Sequence, residues 1–464
     1  MSSYKIIPKL NSLYRVFQQS LSGEEQDYTN GSLRKAIFLL SIPMMLEMCM
    51  ESVFAVVDIF FVGRIGKSAV ATVGLTESVL TIVYSVAMGL SMAATAMVAR
   101  RMGEKKPEEA SRSGVQAIMA SLGITLLISI TGSLFAKQIL GLMGGSPELV
   151  ASGYIYMRIV FAGSVVIMLL YLINGIFRGA GNASIAMWSL WIGNGCNIIL
   201  CPILIHFYGL PGAALATTIG RGAGICYQLS HLLKGTGPIR ILRKYFIPNW
   251  GIIKSLFSIA WTGTTQFLIG SASWIIMVRI ISRFGDETIA GYQVAIRVLL
   301  FFLLPAWGMS NAAATLVGQN LGAKQPERAE QSVWATAKYN AIFMAFVSLL
   351  FLLGSGPIVG FMNRDHGVEK IATEALHIVS LGYIFYGVGM VLINAFNGAG
   401  DTKTPTVINL FCFWAFQIPA AYLMAVSFDF GPKGVFWAIV ITETMVTIVA
   451  FILFRKGRWK KMII

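Results

Sequence analysis

The stretch Met50-Glu51-Ser52-Val53-Phe54-Ala55-Val56-Val57-Asp58-Ile59-Phe60-Phe61-Val62-Gly63 sets carboxylates inside an apolar run long enough to cross a bilayer. The run from about Ile37 to Gly63 carries three of them, Glu47, Glu51 and Asp58, spaced by four and then seven residues. At about 100° per residue all three fall on one narrow stripe of a helix. A carboxylate at mid-membrane costs roughly 2.5 to 3.5 kcal/mol, so such residues face a bundle interior or a water-filled cavity and are functional candidates. A polar contact to a neighbouring helix is the structural alternative for each.

The surrounding composition extends this reading to the whole chain. Hydrophobic residues make up 56% of the 464, charged residues only 12%, and the mean hydropathy is +0.71. Soluble domains carry about twice that charged share. The chain divides into twelve apolar runs, at about 36–63, 69–99, 114–140, 149–175, 183–207 and 211–233, then 251–282, 289–317, 334–361, 371–396, 405–427 and 432–455, each long enough to span. An all-α membrane protein of twelve helices is expected. The five cysteines, Cys49, Cys196, Cys201, Cys226 and Cys412, sit within apolar runs and show no metal-ligand spacing. No short apolar segment with a small-residue cleavage site precedes the first run, so no removable signal is expected.

The net charge of +15 reads as orientation. With the N-terminus inside, 25 Lys and Arg fall on the inner side, Lys5 and the cluster Arg455–Lys461 among them. Seven, including Arg64, Arg283 and Arg364, fall outside. Both termini are therefore expected in the cytoplasm. No basic patch with interleaved aromatics lies outside the membrane, and nucleic acid is not an expected partner.

Internal repetition organises the chain. Gly103-Glu-Lys-Lys-Pro107-Glu108-Glu-Ala110-Ser-Arg-Ser113 recurs as Gly322-Ala-Lys-Gln-Pro326-Glu327-Arg-Ala329-Glu-Gln-Ser332, an offset of 219. The same offset carries Gly66 to Gly285, Gly89 to Gly308, and Phe177, Gly179, Ala180 and Gly181 to Phe396, Gly398, Ala399 and Gly400. Six spans per half give both halves the same orientation, hence two parallel-related six-helix lobes around a central cleft. The expected units are a tail 1–33, an N-terminal lobe 34–234, a linker 235–250 rich in Gly, Pro and basic residues, a C-terminal lobe 251–455 and a basic tail 456–464. The matched elbows join a Gly stop, a Pro that opens the next helix and acids in its first turn. They serve as helix ends or as stiff hinges for rigid lobes. The second matched pair, near Asn182 and Asp401, supplies positive φ and a helix cap.

Taken together, the first-helix Asp followed by Val62-Gly63-Arg64-Ile65-Gly66, the repeated Gly-x-x-x-Pro-x-x-Ala elbows and the Gly-Ala-Gly-Asp-x-x-Thr-Pro loop resemble the multidrug and toxic compound extrusion (MATE) transporters. The resemblance covers about Leu33 to Phe454. It implies export of amphipathic, often cationic compounds in exchange for H⁺ or Na⁺ by rocking of the lobes, without another cofactor, from a multi-pass position in the inner cell membrane. By resemblance, Asp58 is the first-helix carboxylate that binds the coupling ion, and Asn197 and Thr217 match the fifth-helix Asn and sixth-helix Thr of that site. Cys201 stands where one branch of the family has a second acid, which leaves Glu51 or Glu47 as candidates to supply it. The C-terminal acids of another branch are missing, the seventh span offering Gln266 and the tenth Tyr386-Gly-Val-Gly-Met390.

The residues support that assignment on their own account. A carboxylate in a cleft can exchange a proton, while Asn and Thr oxygens beside it suit a hard cation such as Na⁺ at Asp58; H⁺ and Na⁺ both stay open. Met48, Phe54, Glu77, Gln266 and Tyr386 are candidates for the substrate cleft, since Met repacks around varied ligands. Glu77, Arg158, Arg221, Arg297 and Glu443 fall within or near spans, where they line the cleft or serve as buried pairs or inner-face anchors. A flippase for lipid-linked or polysaccharide cargo is the alternative within transport, but it calls for basic residues in the cavity, and intramembrane acids outnumber bases here. An enzyme is not expected: only four histidines occur, with no ligand spacing and no phosphate-binding loop for ATP. A monomer in the lipid bilayer acting on small amphipathic substrates completes the expectation.

Overall fold

A computed structural model describes residues 6–23, 26–235, 237–362 and 365–464. Lys5 and Arg364, counted above for orientation, and the first five residues of the tail lie outside the described residues. Among the described residues there is no strand. The first half runs through α1 (Ile6–Ser22), α2 (Leu33–Gly63), α3 (Lys67–Gly103), α4 (Pro107–Leu134), α5 (Ala136–Leu142), α6 (Pro147–Ala162), α7 (Ser164–Gly179), α8 (Ala183–Tyr208) and α9 (Leu210–Lys234). The second runs through α10 (Trp250–Ile281), α11 (Asp286–Gly322), α12 (Pro326–Met362), α13 (His366–Ser380), α14 (Tyr383–Ala399), α15 (Lys403–Asn409), α16 (Ile418–Tyr422) and α17 (Pro432–Arg455). Nine spans among the described residues are long and apolar enough to cross a membrane, and the bent pair α13 and α14 makes a tenth. With α2, which carries the three acids, and α9, which carries Arg221, the total is twelve.

The duplicated sequence builds duplicated geometry. α3 and α11 start and stop at positions 219 apart, as α4 and α12 do at their starts. Gly66 and Gly285 open them at φ 140° and 94°, Gly181 and Gly400 turn at 88° and 86°, and Lys105 and Lys324 take φ 61° and 58° in the matched elbows. Gly179 lies against the Thr95 backbone and Gly398 against that of Ala314, again 219 apart. The fourth span of each half breaks at a matched glycine, Gly163 or Gly382, and α13 and α14 meet at 59°. Hydropathy alone reads each of these as one straight span. The eleventh span departs from its partner α8, since π-helical turns at Leu410–Gln417 and Leu423–Ser427 flank α16.

The two lobes cross over at their centre. α2 packs on α11 while its counterpart α10 packs on α3, and α3 also packs on α11. Gly89 of α3 seats against Ala260 and Thr264 of α10, and Gly308 of α11 against Met44 and Met45 of α2. These contacts exchange under the 219 offset, which is the signature of a two-fold axis between the lobes.

At the face that carries both termini the axis closes tightly. A Cβ on Gly103 would overlap the Gln319 carbonyl, and one on Gly322 would overlap that of Arg100. Thr315 Oγ1 donates to the Arg178 carbonyl (3.0 Å) and Gln319 Nε2 to that of Gly179 (3.0 Å). The chain ends tie across the seam, Arg100 Nη2 donating to the Met462 carbonyl (2.9 Å) and Arg328 Nη2 to that of Asn30 (3.0 Å), while Tyr28 Oη fastens the N-terminal segment to its own half by donating to the Gly181 carbonyl (3.0 Å). Partial burial raises the Asp27 pKa, but hydrogen bonds from Lys105, Thr29 and Asn30 outweigh it and hold the carboxyl well below the usual range. The linker docks under the first half, where Gln116 Nε2 donates to the Tyr245 and Ile247 carbonyls (2.6 and 2.9 Å). Asn182 does not cap α8; its amide donates to Gly23 of the N-terminal segment (3.1 Å). Asp401 does accept from the Thr404 backbone N–H (3.2 Å).

Candidate functional site

The stripe of acids on α2 resolves into three different environments. Glu47 is fully buried and accepts from Asn174 Nδ2 (3.2 Å), with Arg178 Nη1 at 3.9 Å. Asn174 in turn accepts from Gln228 (2.6 Å) and Ser189 (2.9 Å), so α2, α7, α8 and α9 are joined by one buried polar network. One turn further, Glu51 accepts from Arg221 Nη2 (2.8 Å), Asn194 Nδ2 (3.0 Å) and Tyr171 Oη (3.1 Å). The Arg221 guanidinium also lies over the rings of Phe54 and Tyr171, at 5.3 and 5.7 Å. Both glutamates thus have their own arginine, and charge inside the bundle is compensated at these two points.

Asp58 differs. Among the described residues it has no ion pair, and its buried Oδ1, like Glu47 Oε2, has no hydrogen-bond partner, so it is the lack of a cation that sets it apart. Arg221, Glu77 and Cys201 lie within electrostatic range. On α8, one turn before Cys201, Asn197 is 2% exposed and donates through Nδ2 to Thr217 Oγ1 (3.0 Å), leaving its own Oδ1 buried and without a donor. Thr217 Oγ1 in turn donates to the Ala213 carbonyl (3.1 Å). The structure therefore brings Asn197 and Thr217 into direct contact and leaves unsatisfied acceptor oxygens on both Asp58 and Asn197. Hard oxygen acceptors without donors are suited to a proton or a small monovalent cation.

The cleft itself is a cavity of about 380 Å³ between the lobes. Met48, Gln266 and Tyr386 line it as expected, together with Met88, Met92, Trp274 and Trp307. Phe54 lies beneath Arg221 and Glu77 is exposed on α3; neither lines the cavity. Glu51 and Arg178 reach its wall with their partners behind them. Glu443 of α17 reaches it with no side-chain partner among the described residues. Arg158 and Arg297 are exposed, so of the bases considered from the sequence only Arg221 is a buried partner. Asp58, Asn197 and Thr217 stand apart from the cavity lining.

The sequence carried faint signals of the pairs. Arg178 interrupts a motif whose second copy reads Asn397, and Glu47 stands where the second copy has Gln266. An acid and a base replacing two neutral residues in one half point to each other.

Comparison with known proteins decides the family. The MatE family model matches residues 43–203 and again 264–423. The chain belongs to the MatE family. The duplicated match follows the two lobes. Among the relatives of this MatE chain, the probable multidrug resistance protein NorM of Thermotoga maritima is 24% identical, covering 97% of each chain. The multidrug export protein MepA of Staphylococcus aureus is 22% identical, over 90% of this chain and 93% of its own. A solved outward-facing conformation of a multidrug resistance MATE transporter aligns with a TM-score of 0.89 at 26% identity, covering 94% of this chain and 98% of that one. MatE proteins are multi-pass membrane transporters and not enzymes, and this chain has their twelve-helix, two-lobed fold.

Proposed function

We propose that the chain is a secondary antiporter that exports small amphipathic cations from the cytoplasm in exchange for H⁺ or Na⁺, acting as a monomer in the inner cell membrane. The observation that carries this reading is the cavity between the lobes, sealed at the termini face where Gly103 and Gly322 meet the opposite lobe. That face bears the excess of Lys and Arg, which the positive-inside rule assigns to the cytoplasm. The cavity then opens outward. Rocking of lobes 34–234 and 251–455 about the α2·α11 and α3·α10 contacts, with 235–250 as the tether, exchanges access between the two sides.

Asp58 is the coupling group in this scheme. Its unsatisfied oxygen and that of Asn197 take the ion in one state and release it in the other. Glu51 and Glu47 hold the N-terminal lobe together through their arginines instead of supplying a second free acid. A flippase for phosphate-bearing cargo fits less well, because the only Lys or Arg in the cavity lining among the described residues is Arg178, and Glu47 lies beside it. The relatives named for multidrug export agree with a broad cargo, as does the Met and aromatic wall.

Purified protein in vesicles tests the reading. Export of a lipophilic cation is expected to follow an imposed H⁺ or Na⁺ gradient and to stop when both are dissipated. Transport that needs ATP and ignores the gradients would contradict it.

A further inference from the structure

Glu443 has no role in the scheme above, yet its position is costly. It lies within α17, is 6% exposed, and borders both the central cavity and an adjoining apolar recess lined by Trp274, Leu299, Tyr383 and Ile439. A carboxylate at such depth needs a partner. Among the described residues its side chain makes no ion pair and accepts no hydrogen bond, while its backbone carbonyl accepts from Thr447 (3.0 Å). The other charges on the cavity wall, Glu51 and Arg178, are each matched by a neighbour. One uncompensated acid therefore faces the cavity, and it does so from the C-terminal lobe, away from Asp58.

We propose that Glu443, with the flanking rings of Trp274 and Tyr386, is the recognition site for a lipophilic organic monocation. The inference rests on the export reading and names the group that selects its cargo. The carboxylate offers the counter-charge, and the aromatic faces favour a cation through their quadrupoles. Met48, Met88 and Met92 supply an adaptable apolar wall opposite, so shape is loosely read and charge strictly read. A cavity of this size suits a drug-sized ligand. Cargo recognition and ion coupling then sit on different lobes, with the cavity between them.

The test uses the purified full chain in detergent with tetraphenylphosphonium as the probe. Glu443→Gln is expected to weaken binding roughly 30-fold or more, since it removes one partner of a buried charge pair. Glu443→Asp should restore most of the affinity. A second measurement needs no variant: dicyclohexylcarbodiimide should modify Glu443, and tetraphenylphosphonium should protect it, as read by mass spectrometry of the α17 peptide. Binding by Glu443→Gln equal to the parent, or absence of protection, overturns the proposal. If the parent binds tetraphenylphosphonium at Glu443 but gradients drive no export, the export reading falls and the site stands. A parent that binds no tetraphenylphosphonium overturns the proposal itself.

Discussion

The two lobes share a backbone and differ in their charges. α2 and α10 occupy matched places, yet Glu47, Glu51 and Asp58 on the first correspond to Gln266, Gly270 and Met277 on the second. The same contrast holds on the fourth spans, where Arg178 answers to Asn397, and on the sixth, where Arg221 answers to Val440. The C-terminal lobe instead places an acid, Glu443, in the middle of its last span, where the N-terminal lobe has Gly224. The turns, the broken fourth spans and the glycine contacts across the axis are what the common fold requires, so both copies retain them. The charges are not required by the fold, since one copy forms it without them. What the N-terminal lobe adds is therefore best sought in function, with the two ion pairs as the framework and Asp58 as the group left open.

That contrast can be broken at its symmetric part first. Gly103→Val and Gly322→Val each push a side chain into the opposite lobe's backbone, and both are expected to abolish export in vesicles by holding the inner face apart. Gly63→Ala, whose Cβ would meet nothing, should export as the parent does. Unequal behaviour of the first two would mean that the seam is not two-fold.

The asymmetric part predicts a smaller loss. Arg221→Met leaves Glu51 buried without its cation and should cost about 3 to 5 kcal/mol in stability, read as a lowered melting temperature. Adding Glu51→Gln should recover most of it; no recovery would show that Arg221 acts through packing on Phe54 and Tyr171 alone. Smaller still is the effect of Glu47→Gln with Arg178→Asn, which writes the second lobe's residues into the first. Replacing both members of the pair is expected to change stability by about 1 kcal/mol or less, measured against the single Glu47→Gln, which strands the arginine and should cost more. The smallest effect belongs to Lys105→Ala, because its pair with Asp27 (2.7 Å) is exposed on both sides. A loss of about 0 to 1 kcal/mol is expected.

Much of this was legible in the sequence because the repeat is a local signal. Gly66 with Gly285, the Pro107 and Pro326 elbows and the glycines near 180 and 399 fix where helices start and stop, and they do so through backbone geometry that a few residues dictate. The Asn197–Thr217 contact was reached through resemblance and is present in the structure. What the sequence did not display was partnership across distance. Glu51 and Arg221 are 170 residues apart, and nothing near either one announces the other. The break between α13 and α14 was hidden for a related reason: Gly382 sits in an apolar run, and it is packing against Val440, not a change in hydropathy, that marks the bend. Asn182 looked like a cap, and the N-terminal segment that claims its amide is far away in the chain.

The central claim is that Asp58 is the open charge through which ion and cargo are coupled. Its most direct test is simultaneous measurement of drug efflux and of H⁺ and Na⁺ flux in vesicles containing Asp58→Asn. The substitution keeps the side chain's shape and removes both its charge and its titration. The account predicts that the folded variant shows neither gradient-driven efflux nor drug-dependent ion flux, while Glu51→Gln alters stability more than coupling. Asp58→Asn that exports with the parent's rate and stoichiometry would contradict it, and would make the carboxylate a structural residue.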